Sequence, residues 1–223
     1  MEASSPLGCI TGLWRYPVKS LRAEALDVAA VTADGVAGDR RCALVVATPE
    51  HARYGKPYRG KEDERLHLTS RISAATDWGS ARGVALEAAE GGPFFDDAPI
   101  SLIVDLWLRQ AERIAHTPLE PLRFRPNVFA RAEATFFASE RELVGATLAA
   151  GDVRLRVRAP IKRCVTTTYD LASGSPLPHV LRELASERDT ILGVYCDVLA
   201  AGTLTLGDAL TTASGDPRAL SRA

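Results

Sequence analysis

The chain has 223 residues, 46% hydrophobic and 25% charged, with 28 acidic side chains against 27 basic ones and a formal net charge of −1. That balance excludes the basic surplus of a nucleic-acid-binding domain. No apolar run approaches the roughly 20 residues of a membrane-spanning helix, so the sequence reads as a globular protein of one large or two small domains.

The first residues, MEASSPLGCITGLW, lack the basic start and long apolar core of a secretion signal, so the expected location is cytoplasmic. Residues 7–15 read as a strand and lead into YPVKS (16–20). There Pro17 restricts the backbone beneath Lys19 and Ser20, which makes the lysine a surface residue at a turn or a stiffly mounted anion ligand. GVAGDR (35–40) has the same character: two glycines permit a tight turn, Asp39 can orient a neighbouring arginine, and Arg40 offers a planar fork for phosphate or carboxylate. A second strand is predicted at 41–47, a polar surface loop with two prolines and two glycines at 48–65, and a short strand at LHLTSR (66–71).

FFDDAPI (94–100) reads as a turn. After it, Ile100, Ile103, Val104, Trp107, Leu108, Ala111 and Ile114 form one apolar stripe, predicting a helix from residue 100. HTPLEPL then predicts a link between halves, giving units 1–118 and 119–213 and a tail 214–223. In the second half, RPN (125–127) places Arg125, an anion ligand, and Asn127, a donor and acceptor suited to a heterocycle edge, on either side of a proline that also favours a turn. Residues 152–159 alternate Val153, Leu155, Val157 with Arg154, Arg156, Arg158, a half-buried strand whose arginines read as a solvated face rather than an anion site. RCVTTTYD (163–170) is a β-rich run, 178–189 a helix, and 193–210 two strands around an Ala-Gly turn. Many short strands with few helices predict an α+β, mostly β protein: a β-barrel with an N-terminal β-rich subdomain.

The four cysteines show no C-x-x-C spacing, and the four histidines no zinc pattern. Cys9, Cys42 and Cys196 sit among apolar residues and read as packing. Cys164 follows Lys162 and Arg163 and precedes three threonines; cations that reach it would favour the thiolate, the form that attacks electrophiles or binds a soft metal.

In order and at similar distances, YPVKS, GVAGDR, LHLTSR, FRPN, RC-x-TT-x-D and GVY…GTLTLGD resemble the motifs of MOSC-domain proteins that carry an N-terminal β-barrel half. These include the mitochondrial amidoxime-reducing component and the C-terminal domain of molybdenum-cofactor sulfurases. The resemblance implies a site between the halves for molybdenum cofactor (a pterin dithiolene bearing a phosphate). It implies that Lys19, Ser20 and Arg40 hold phosphate and pterin, that Arg125 and Asn127 act as the R-P-N pair, and that Cys164 is the ligand to molybdenum. It also places Tyr195 near the cofactor, with Lys162 and Asp97 close enough to contact it through backbone. The implied activity is reduction of amidoximes, hydroxylamines and hydroxylated bases; the alternative is a sulfur or cofactor carrier using a Cys164 persulfide. No cysteine run for an iron–sulfur cluster follows Cys196, so electrons are expected from a separate donor: a ferredoxin, a haem protein or a flavoprotein.

Overall fold

The computed structural model describes residues 5–58 and 72–212. The strands are β1 (Ser5–Arg15), β2 (Glu24–Ala25), β3 (Val28–Thr32), β4 (Gly35–Val36), β5 (Cys42–Val46), β6 (Leu86–Glu90), β7 (Ile100–Val104), β8 (Val128–Ala132), β9 (Thr147–Ala150), β10 (Val153–Lys162), β11 (Ile191–Ala200), β12 (Gly202–Thr205) and β13 (Ala209–Thr212). The helices are α1 (Ile72–Ser80), α2 (Asp105–Ala115) and α3 (Pro178–Arg188), with 3-10 turns at Pro121–Phe124 and Val165–Thr168. The expected strand at 66–71, part of the expected loop at 48–65 and the tail at 214–223 lie outside the described residues.

One sheet runs β13-β9-β10-β11-β7-β8-β1 and closes because β13 also pairs with β1, with Ser5 opposite Thr212. Closure removes the sheet edges that would otherwise template aggregation. The barrel is filled by Leu7, Ile10, Leu148, Leu155, Leu192 and Val194, and Trp107 of α2 plugs one flank, its Nε1 donating to the Ala138 carbonyl at 2.8 Å. A smaller core of Val18, Leu21, Leu44, Val46, Tyr58, Ala75 and Leu86 sits between the β5–β6 pair and α1. Strands β12, β3 and β4 form a third, three-stranded sheet. No helix among the described residues is long and apolar enough to cross a membrane.

Two expectations change. The apolar stripe does not begin a helix at 100: Ile100–Val104 is a strand with all five residues buried, and the helix starts at Asp105. An unbroken apolar run satisfies both periodicities, and only burial on both faces separates them. The β-rich run at 163–170 folds instead as the 3-10 turn Val165–Thr168. There the Thr167 and Thr168 hydroxyls donate to the carbonyls of Cys164 (2.9 Å) and Val165 (2.7 Å), a local bond that competes with strand pairing. The two strands expected around the Ala-Gly turn are β11 and β12; β12 pairs with β3, and a further strand, β13, follows Gly207-Asp208. The arginine row does behave as an outer face, with Val153, Leu155 and Val157 buried and Arg158 paired with Asp197.

The β10–β11 pairing is irregular where Pro160↔Val194 gives way to Lys162↔Ile191, so Leu192 and Gly193 together oppose Ile161. This bulge turns the end of β10 toward the site. Gly193 has φ of +88°, and a Cβ there would lie 2.8 Å from the Leu102 carbonyl oxygen and 3.0 Å from Arg163 Nη2. Gly193→Ala is therefore expected to cost about 2 kcal/mol or more of stability, read as a lower urea midpoint at unchanged m.

Candidate functional site

YPVKS and GVAGDR form one substructure. Arg40 N–H donates to the Tyr16 carbonyl (2.7 Å), Cys42 N–H to Pro17 (3.2 Å) and Lys19 N–H to Cys42 (2.8 Å), zipping 16–19 against 40–42. The Asp39 carboxylate, in a residue only 4% exposed, accepts the Tyr16 N–H at 2.7 Å and a short hydrogen bond from Arg40 Nη1. Gly35, with φ of +100°, lets this segment press against Pro99, whose carbonyl oxygen would sit 2.4 Å from any Cβ.

Arg125 arrives from the other side, at the end of the 3-10 turn Pro121–Phe124. Its guanidinium carbon lies 4.1 Å from the Tyr16 ring centroid, and that of Arg40 lies 4.8 Å from the same centroid. The Tyr16 hydroxyl donates to the Pro126 carbonyl at 3.1 Å. Ser20, Arg40 and Arg125 all hold left-handed backbone, with φ of 71°, 46° and 55°. Such strain in non-glycine residues costs roughly 1 kcal/mol or more each and persists where the surroundings enforce it.

These groups open on a cavity of about 530 Å³ lined by Lys19, Ser20, Arg40, Arg125, Asn127, Lys162, Cys164 and Tyr195, the expected set except for Asp97. Asp97 points its role elsewhere: its backbone carbonyl accepts Arg158, and the neighbouring Asp96 lines the cavity instead, bonded to Lys19 Nζ at 2.6 Å. Asn127 is spent on the fold. Its Oδ1 accepts Ser101 Oγ (2.9 Å), Ser101 N–H (3.1 Å) and Arg40 Nη1 (3.4 Å), and its Nδ2 donates to the Trp14 carbonyl (3.3 Å). It positions the cradle and has little left to read a heterocycle.

Cys164 is exposed, at the start of the 3-10 turn, with Sγ 3.5 Å from Thr166 Oγ1. Arg163 does not turn toward its neighbour's sulfur. Its Nε and Nη1 donate to the carbonyls of Leu192 and Phe124, both at 2.7 Å, and its guanidinium stacks 5.5 Å from the Phe124 ring. Lys162 is exposed at the end of β10, and Tyr195 lies half-buried on β11 opposite Ser101. Missed in the sequence were Tyr16 as a stacking platform, Asp96, and Arg123, whose guanidinium donates to the Tyr169 carbonyl at 2.8 Å beneath the cavity. Only the adjacency of Tyr16 to Pro17 and of Asp96 to Asp97 pointed to the first two.

The cations are unequally compensated. Burial works against Arg40, but Asp39, Tyr16 and Asp96 together outweigh it and raise its pKa. Burial dominates at Arg125 and Arg163 and pushes both down to about 10. Arg163 has its main-chain partners, whereas Nη2 of Arg125 is buried with no hydrogen-bond partner, as is Nε of Arg123. Desolvation would raise the Asp96 carboxyl, yet Lys19, Arg40 and Arg125 hold it below the usual range. Burial also lifts the Tyr195 phenol and pushes Tyr16 up to about 12. A cluster with surplus positive charge and an orphaned guanidinium donor, lining the same cavity as an exposed thiol, suits a ligand that carries both an anionic group and a soft metal.

Two outcomes follow from these charges. Removing the under-compensated cation with Arg125→Met leaves the ligand-free protein at least as stable as wild type, with a gain of up to about 2 kcal/mol in urea unfolding, because no buried charge is left without a partner. The Tyr16 phenol ionises more easily unfolded than folded, so its contribution is fully present below pH 10 and is lost as the pH rises toward about 12. Wild type therefore starts more stable than Tyr16→Phe, by about 1 kcal/mol for the Pro126 hydrogen bond, and that difference shrinks across this window in unfolding curves taken at stepped pH.

A family model of the MOSC domain matches residues 91–211, and one of the MOSC N-terminal beta barrel domain matches residues 7–70. Among solved structures, the YuaD protein of Bacillus subtilis aligns at 15% identity with a TM-score of 0.58, covering 97% of this chain and all of that one. YiiM of Geobacillus stearothermophilus aligns at 21% identity over 56% of this chain and 59% of that one, TM-score 0.43. YiiM of Escherichia coli aligns at 13% identity over 96% and 71%, TM-score 0.46. No curated protein matches the sequence. The YuaD likeness shows the fold, and the two family matches together show that the chain belongs to the MOSC domain family, a family associated with molybdenum-cofactor binding.

Proposed function

We propose that this cavity holds molybdenum cofactor and that the protein reduces N-hydroxylated small molecules with electrons from a separate donor protein. The observation that carries the reading is the convergence of Lys19, Arg40, Arg125 and Cys164 on the lining of one cavity. The fit is supported by the unpartnered Arg125 Nη2, a donor buried at a cost that an anionic oxygen would offset.

In this reading Lys19, Arg40 and Arg125 would neutralise the phosphate, and the zipped 16–19 and 40–42 segments hold Lys19 and Arg40 in place, which lowers the ordering cost of binding. Lys19, now paired with Asp96 at 2.6 Å, would exchange that carboxylate for the phosphate. Cys164 would hold molybdenum through its sulfur, which Thr166 Oγ1, 3.5 Å away, would orient. Arg163 ties the residue before the cysteine to β11 at Leu192 and to the Pro121–Phe124 turn at Phe124. Bound there, the cofactor would supply two-electron oxygen-atom chemistry, while the protein supplies orientation and electrostatics. The electron donor is a ferredoxin, a haem protein or a flavoprotein.

The exposure of Cys164 favours one second reading, a carrier that holds a persulfide sulfur for a partner to collect. Intact mass separates the two: a carrier shows an adduct of one sulfur that reductant removes.

Purified from a cofactor-competent host, the protein is expected to contain about one molybdenum per chain and to reduce a hydroxylamine with an artificial donor. Loss of an outer partner already lowers metal affinity about 10–100-fold, so Cys164→Ala, which removes the ligand itself, should retain under about a tenth of the metal and no turnover. Metal content equal to wild type in that variant would overturn the assignment of Cys164, and full cofactor loading without turnover on any N-oxygenated compound would overturn the reductase.

A further inference from the structure

Two cations that line one cavity repel each other, so something in the protein must hold them together. Asp39 bonds Arg40 directly, whereas Arg125 forms no ion pair with a carboxylate among the described residues and keeps Nη2 unpartnered. What both share is the ring of Tyr16, with guanidinium carbons 4.1 and 4.8 Å from its centroid. An aromatic face attracts each guanidinium through its quadrupole, more strongly where water is excluded, and the Tyr16 residue is 1% exposed. The ring is itself fixed at both ends, by its backbone N–H on Asp39 and by its hydroxyl on the Pro126 carbonyl next to Arg125.

We propose that Tyr16 is a positioning residue: its ring is the common platform that sets the spacing of Arg40 and Arg125 and so pre-forms the anion cradle. This rests on the anion-site reading of the cavity and extends it to a residue that touches no ligand. The ring, rather than the hydroxyl, carries the role. Phenylalanine keeps the quadrupole and loses only the Pro126 bond, whereas leucine keeps the apolar bulk and loses the quadrupole.

The experiment titrates inorganic pyrophosphate into wild type, Tyr16→Phe and Tyr16→Leu by calorimetry at fixed ionic strength, with far-ultraviolet circular dichroism to establish folding. Tyr16→Phe should bind within about threefold of wild type. Tyr16→Leu, folded, should bind about tenfold or more weakly. Leucine that binds as well as wild type overturns the proposal, and so does a phenylalanine variant as weak as leucine, which would move the role to the hydroxyl. Should the leucine variant not fold, wild type alone decides by NMR. The side-chain Nε–H protons of Arg40 and Arg125 should be shifted upfield by the Tyr16 ring current, and unshifted resonances overturn the platform. Pyrophosphate that wild type itself does not bind, with the ring-current shifts present, overturns the anion-site reading and with it the purpose assigned to Tyr16.

Discussion

The desolvated carboxylate of Asp39 is the charge on which the site depends. It binds the Tyr16 backbone and the Arg40 side chain at once, so one anion fixes both the zipped backbone and the first cation. A buried carboxylate without such partners would be costly, and the same is true of the guanidinium. Together they form a neutral unit against which a second cation, Arg125, can be brought close. The surplus of positive charge is then local, about the size of one anionic group, and compatible with a chain whose formal net charge is −1.

The barrel carries this unit through Asn127 and Ser101. Ser101 lies on β7 and Asn127 just before β8, and their side chains and backbones exchange bonds of 2.9–3.1 Å while Asn127 also reaches Trp14 on β1 and Arg40. Three barrel strands are thus joined at the floor of the cavity by one buried carboxamide, which is why a residue in a binding motif proves to be structural. On the opposite rim, the bulge at Leu192–Gly193 and the Arg163 side chain packed into it set where the turn bearing Cys164 leaves β10.

Much of this was legible in the sequence, and the failures have physical causes. Period-2 alternation marked β10 correctly because one face is solvated, while β7, buried on both faces, has no alternation to read and was absorbed into the helix that follows it. Threonine's strand preference misled at 166–168 because its hydroxyl can also bond its own backbone, and nothing in the local sequence says which wins. The cationic site residues were visible because charged side chains on Gly- or Pro-stiffened turns stand out. Tyr16 and Asp96 were not, since their roles come from contacts with residues far along the chain, 109 positions away for Tyr16 and Arg125 and 77 for Lys19 and Asp96.

The pairing of β1 with β13 has a temporal side. A strand formed from residues 5–15 must wait for residues 209–212 before its second edge is covered, a separation near the largest the chain permits. Contacts so distant in sequence come late and slow the search for the native state. On the ribosome, the opening segment leaves the exit tunnel long before its partner is made, and the cavity's lysine likewise precedes its cysteine. The barrel that carries the cavity therefore closes only once residues 209–212 have been made.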